Sequence, residues 1–287
     1  SSTMSTIPVR VTQEEFARHF APHLSQAKRG FVSKIPLHKI FNYILYRLHT
    51  GCQWAQLPIV APAASPDKKE ISWHAVYYHF RRWSRDGSLE KAWQASVVEV
   101  KGELDLSEMS VDGSHTLAKK GGVGVSYQSR KRAKTSNLLS LCEAKGYVIG
   151  CLGMRPGHHH DVFEFKPALQ TAFKLLKRLG LCLEGALFHA DPAFDTKAAR
   201  KTCFNHGLVP NIKQNRRNRK ATKRGRKRLF DEAAYKRRFV IERGFAWSDK
   251  FKQLLIRFER EDAYFLGAHY IAFALINLRH TLSNCFN

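Results

Sequence analysis

Apolar positions along the first hundred residues recur at helical spacing. Thr12-x-x-Glu15 is a capping box, which predicts a short amphipathic helix reaching about Leu24. Pro36 opens a second helix carrying Leu37, Ile40, Ile44 and Leu48 on one face, with Gly51 where a C-terminal cap belongs. The Pro/Ala/Ser-rich stretch Ile59–Lys69 reads as a loop. Ser72 then caps a third helix, Trp73 to about Arg85, closed by Asp86-Gly87. Ser88 opens a fourth with Leu89, Trp93 and Val97 as its stripe.

From about Ser107 the texture changes. Glu108–Thr116, Asn137–Ala144 and Gly146–Met154 carry β-favouring runs, and Lys145-Gly146 marks a hairpin between the last two. A helix is predicted from Asp161 to about Leu179, a strand over Gly185–Ala190, a helix over Lys197–Asn205 and a strand over Leu208–Lys213. A long helix over 231–260 and an apolar one over 263–283 complete the chain. The layout is α/β behind a helical N-terminal region. It predicts a division into 1–105, a helical domain of helix-turn-helix type, and 106–287, a catalytic domain holding a basic segment at 213–228.

Composition changes this picture in one direction. With 48 Lys+Arg against 24 Asp+Glu, the net charge is +24, which concentrates polyanions and points to nucleic acid. At 44% apolar the chain can bury a core, and it has no apolar run of about 20 residues that could span a bilayer. Six scattered cysteines without a C-x-x-C pair speak against a zinc knuckle or a disulfide framework. With no signal-like segment at the start, a reducing cytoplasm is the expected setting.

Three acids draw attention. Asp112 and Asp191 each end a predicted strand and precede small residues, Gly113-Ser114 and Pro192-Ala193. Carboxylates at neighbouring strand ends can converge, and two such anions repel unless a cation such as Mg²⁺ or Mn²⁺ lies between them. Either one alone reads more readily as a turn residue or helix cap. Glu242 shares a helix face with Tyr235 and Arg238, at spacings i, i+3 and i+7, and is flanked by Phe239, Phe245 and Ala246. A carboxylate there needs a partner, either Arg238 or a metal.

Between Asp191 and Glu242, the run Lys213–Arg228 holds ten Lys/Arg and no acid. Arg216, Arg217, Arg219, Lys223, Arg224 and Arg226 make it an arm for phosphates or a solvated loop. The third helix, with Arg81, Arg82 and Arg85, is likewise either a DNA reader or a solvated cap. His158, His159 and His160 precede Asp161, a good N-cap; capping, a site-facing role and metal ligation all stay open for this cluster.

The segments VDGSHTLAKKGG around Asp112, HADPAFD around Asp191 and YKRRFVIERGFAW around Glu242 together resemble the DDE transposases of bacterial insertion sequences. Tyr235, Arg238 and Glu242 match that family's Y-x-x-R-x-x-x-E signature. YRLHTGCQWAQLP and YYHFRRWSRDGSLEKAW resemble its helical N-terminal region, so the likeness runs from about residue 30 to 260. The resemblance implies an RNase H-like mixed sheet flanked by helices. It implies two Mg²⁺ or Mn²⁺ ions held by Asp112, Asp191 and Glu242, with cleavage of double-stranded DNA at transposon ends and strand transfer into a target. Tyr235 and Arg238 would contact DNA, a homodimer would form on DNA, and the setting would be the bacterial nucleoid. The signature expects Lys seven residues after the Glu; Asp249 stands there and Lys250 follows. A nuclease of the same fold that does not join strands, and a DNA-binding protein with a decayed site, are the competing expectations.

Overall fold

The computed structural model describes residues 7–27, 32–118, 126–128, 133–156, 165–216, 229–238, 250–257 and 261–283, with the backbone alone for 112–118, 126–128, 133–137, 154–156 and 256–257. These residues fall into two compact units, one made of 1–99 with 247–287 and the other of 100–246.

The first unit is helical. Helix α1 (Gln13–His19) starts at the expected capping box: the Glu15 amide donates to Thr12 Oγ1, and the Thr12 amide donates to Glu15 Oε1. Helix α2 (Leu37–Thr50) stops at Gly51, whose φ of 71° is the left-handed conformation a helix C-terminus needs. Helix α3 (Trp73–Arg85) is capped by Ser72, and α4 (Ser88–Glu99) follows, with Asp86 accepting from the Ser88 amide and hydroxyl. Phe16, Phe20 and Phe41 form an aromatic cluster, and Trp83 and Trp93 are wholly buried.

The second unit carries the sheet. Its elements are β1 (Glu108–Ala118), β2 (Ser126–Gln128), β3 (Ala133–Glu143), β4 (Val148–Pro156), α5 (Phe165–Arg178), β5 (Leu187–Ala190), α6 (Lys197–Asn205), β6 (Val209–Ile212) and α7 (Glu232–Arg237). Strands β1, β3 and β4 pair antiparallel, while β5 runs parallel to β1 and β6 parallel to β5. Setting aside the three-residue β2, which pairs with the start of β3, the order is β4-β3-β1-β5-β6. This mixed five-strand arrangement is the expected RNase H-like one. Gly146, at φ 85°, turns β3 into β4, and the Glu143 carboxylate closes that hairpin by accepting from the amides of Asp105, Lys145 and Tyr147. Helix α5 buries Leu169, Phe173 and Leu176; Phe173 meets Phe188 of β5 edge-on at 5.7 Å.

One expectation changes. The helix predicted over 231–260 is helical at Glu232–Arg237, but by 250 it has ended. A 3-10 turn at Lys252–Leu254 and an extended pair at Ile256–Arg257 follow, and 239–249 lie outside the described residues. The C-terminal helix α8 (Asp262–Asn277) packs within the helical unit. It is apolar around its whole circumference, and such a helix must be covered on all sides. In this unit Trp93 stacks on Tyr270, and Asn277 donates to Ser96 Oγ at 3.0 Å. Gly267 lets α8 approach Ser84 of α3 closely. Among the described residues no helix is long and apolar enough to cross a membrane.

Candidate active site

Strand β1 pairs in parallel with β5 so that Ser110 faces His189. Asp112 lies two residues beyond Ser110 on β1, and Asp191 two residues beyond His189, just past the end of β5. Asp112 is thus in mid-strand, not at the strand end expected from the sequence, because β1 runs on to Ala118, whereas Asp191 does follow a strand end. The side chain of Asp112 and the whole of Glu242 lie outside the described residues, as do Arg217, Arg219, Lys223, Arg224, Arg226, His158, His159, His160 and Asp161.

Asp191 is part-exposed and paired. Arg238, the residue after α7, donates from Nη1 to Asp191 Oδ1 at 3.0 Å. The same nitrogen donates to the Tyr235 hydroxyl at 2.6 Å, and the guanidinium lies 4.3 Å from the Tyr235 ring centroid. Arg238 of the predicted signature thus meets the second predicted acid, and Tyr235 is bonded to the same guanidinium. Phe230 packs against the Tyr235 ring at 5.2 Å, and a pocket of about 220 Å³ opens beside Lys213, Tyr235 and Arg238.

Beneath this pair runs a polar chain that sequence reasoning missed. His189 is buried; its Nδ1 accepts from Asn211 Nδ2 at 3.1 Å, and its Nε2 stands 3.4 Å from Glu108 Oε1. Burial pushes its pKa down, against the pull of Glu108, and a neutral ring protonated on Nε2 satisfies both contacts. Arg237 reaches the same Glu108 carboxylate at 3.0 Å, and Asn211 continues the chain to Asp231. In the HADPAFD segment, Asp195 is buried against Arg200, at 2.8 Å, and its Oδ2 accepts from the Asn215 amide at 2.9 Å. The available signal was polarity out of place: Asn211 interrupts an apolar strand, and His189 sits near the end of another.

The other predicted DNA contacts separate into two kinds. Arg81 donates to the Tyr264 hydroxyl at 3.0 Å, and Arg85 pairs with Glu261 at 3.0 Å, so both are engaged with the C-terminal helix of their own unit. Arg82 instead lines a groove of about 1290 Å³ together with Lys34, Lys68, Lys69, Tyr78 and His79. Arg216 is exposed at the start of the basic segment, and Lys250 is exposed in a turn of the helical unit.

Among the described residues no three His, Cys, Asp or Glu side chains gather around one point, the other two predicted acids being outside that set. The donor set expected from the sequence, Asp112, Asp191 and Glu242, would be carboxylate oxygen throughout, a chemistry that fits Mg²⁺ or Mn²⁺ and not a soft metal.

A sheet of this order, with an acid at the end of the first parallel partner strand, defines an RNase H-like enzyme of phosphoryl transfer. The family model described as "Transposase DDE domain" matches residues 100–277, more than half of the chain, and the chain belongs to this family of DDE transposases. A second model, "Putative transposase of IS4/5 family (DUF4096)", matches residues 11–93. No curated protein matches. Solved structures with similarity include a Mos1 transposase paired-end complex with left transposon end, at 13% identity and TM-score 0.29 over 92% of this chain and 83% of that one. The Mos1 strand transfer complex matches at 13% identity and TM-score 0.28, over 92% and 82%. A Mos1 mariner paired end complex with Mn gives the same identity and score over 96% and 86%. The family implies a divalent metal.

Proposed function

We propose that Asp112, Asp191 and Glu242 are the catalytic acids of this transposase, and that they hold two Mg²⁺ or Mn²⁺ ions at the end of a transposon. What supports this reading is the parallel β1–β5 pairing, with Asp112 and Asp191 each two residues beyond the paired Ser110 and His189, together with the Arg238 contact to Asp191. Divalent ions held there supply Lewis-acid stabilisation to the attacking and leaving oxygens of a phosphodiester. Hydrolysis breaks a P–O3′ bond and frees a 3′-hydroxyl. That hydroxyl then forms a new P–O bond on the target strand and releases the target's own 3′-oxygen as leaving group. Arg238 orients the Asp191 carboxylate and adds positive charge beside a DNA phosphate. Tyr235 holds the guanidinium in place by its hydroxyl and ring face.

DNA contact falls to the basic segment 213–228 and to the Arg82 groove of the helical unit, whose Lys34, Lys68 and Lys69 complement phosphates. Two transposon ends must be held together for joining, so a homodimer on double-stranded DNA is the expected assembly. For a transposase of insertion-sequence type, work on DNA at the nucleoid is the expected setting.

A direct test is metal-dependent nicking of supercoiled plasmid by the full chain and by Asp112→Asn. Nicking that needs Mg²⁺ or Mn²⁺ and disappears in the variant supports the assignment. Undiminished nicking by Asp112→Asn contradicts it.

A further inference from the structure

Asn211 stands in the otherwise apolar strand β6, and its side chain is buried. Burying an amide costs free energy unless its groups are bonded, and here each is. Nδ2 donates to His189 Nδ1 at 3.1 Å and to the Asp231 carbonyl at 2.9 Å, while Oδ1 accepts from the Asp231 amide at 2.9 Å. The double bond pair with Asp231 imitates one rung of an antiparallel ladder, with a side chain in place of a strand. Asp231 in turn caps α7, its Oδ1 accepting from the Ala234 amide at 2.9 Å.

Helix α7 has only six residues, too few to be stable on its own hydrogen bonds. Its direction is therefore set by what holds its first turn. Arg238 follows its last residue and meets Asp191. The opposite stem of the basic segment has its own buried tie: Asp195 holds the Asn215 amide, and Arg200, paired with Asp195, also donates to the Ile212 carbonyl at 2.8 Å. The segment between Asn215 and Asp231 is thus fastened at both ends to the strands below the candidate site.

We propose that Asn211 is a positioning residue of the transposase reaction: by tying Asp231 to β5 and β6 it fixes the start of α7 and so places Arg238 against Asp191. The proposal rests on the reading of Asp191 and Arg238 as parts of the active site. A valine would suit the strand as well or better, so the asparagine serves the link across to Asp231. Misplacing a positioned group by about 1 Å can cost on the order of a hundredfold in rate.

The experiment compares the full chain with Asn211→Val, Asn211→Asp and Asp191→Asn in Mn²⁺-dependent nicking of supercoiled plasmid, with hydrogen exchange measured across residues 229–238. Asn211→Asp keeps the size and the acceptor, but its carboxylate cannot donate to His189 or to the Asp231 carbonyl; it serves where Asn211→Val fails to fold. The proposal predicts that kcat falls roughly ten- to a hundredfold while plasmid KM holds. Exchange rises over 232–238 while β5 and β6 stay protected. An unchanged kcat in a folded Asn211 variant, with Asp191→Asn inactive, would overturn it. So would a loss of protection across the whole sheet that accounts for the lost rate. Nicking that persists in Asp191→Asn would overturn the site reading itself, and this proposal with it.

Discussion

Arg238 and Asp191 lie 47 residues apart in sequence and meet at 3.0 Å, Nη1 to Oδ1, just past the end of the central strand β5. The Tyr235 hydroxyl accepts from the same nitrogen. The pair does what a two-armed support does: it orients a carboxylate and keeps a cation beside it. Lys in place of Arg238 retains the charge but has a shorter reach and no planar guanidinium to lie over the Tyr235 ring, so the nitrogen is no longer held against Asp191. Arg238→Lys is expected to lower kcat for metal-dependent nicking by roughly tenfold or more. Tyr235→Phe, which keeps the ring face under the guanidinium, should have the smaller effect. Steady-state nicking rates of the two variants check the order, and equal rates would detach Arg238 from the reaction.

In the helical unit, Arg82 and Arg81 are neighbours with different employment. Arg82 lines the basic groove, and Arg81 is bonded to Tyr264. Each phosphate contact contributes about 0.9 to the slope of log K against log salt concentration on duplex DNA. Arg82→Ala should therefore reduce the slope for a random-sequence duplex by about that amount, and Arg81→Ala should leave it unchanged. Fluorescence anisotropy across a salt series measures both.

The contrast shows what was legible in the sequence. Caps and periodicity announced α1 to α4, β5 and α6, because Thr12, Ser72, Gly51 and Gly146 carry local rules that hold whatever surrounds them. Tyr235, Arg238 and Asp191 could be singled out because a spaced motif survives without coordinates, and the three do lie together. The partners of Arg81 and Arg85 were not readable, since both lie on α8, more than 170 residues away in sequence. The chain Glu108–His189–Asn211–Asp231 was hidden for the same reason: each of its members looks ordinary alone, and three separate strands and a helix cap bring them together. The 231–260 helix failed because an apolar periodicity continues past the point where the backbone turns at 250.

Packing of α8 in the helical unit can be tested at one atom. A Cβ on Gly267 would stand 2.2 Å from Ser84 Oγ and 2.8 Å from Ser84 Cβ. Gly267→Ala gains up to about 1 kcal/mol of helix propensity, but the overpacking costs about 1–3 kcal/mol. A net loss of stability is expected, recovered in the double variant Gly267→Ala/Ser84→Gly. Denaturant unfolding midpoints of the three proteins report it; a Gly267→Ala variant as stable as the parent would contradict this helix placement.

Acid should weaken the same unit. Burial alone would raise the Glu15 and Asp86 carboxyls. Hydrogen bonds outweigh it, from Thr12 and Ser283 to Glu15 and from Ser25 and Ser88 to Asp86, and both are held below the usual carboxylate range. A carboxylate with a lowered folded pKa stabilises fully above its unfolded value, and that contribution is lost as pH falls through the folded value. Tm should accordingly drop as pH is taken from about 5 towards 2. Glu15→Gln should show a shallower drop, and an equal drop would remove Glu15 from the cause.

The central claim is that Asp112, Asp191 and Glu242 together perform DNA joining. The most direct measurement is strand transfer in Mg²⁺, using duplexes that carry the pre-cleaved ends of the element encoding this chain and a supercoiled plasmid as target. The account predicts joined products with the native chain and their loss, by about a thousandfold or more, in each of Asp112→Asn, Asp191→Asn and Glu242→Gln. Joined products at native levels from Asp191→Asn, or cleavage by the native chain that never yields joined DNA, would contradict it.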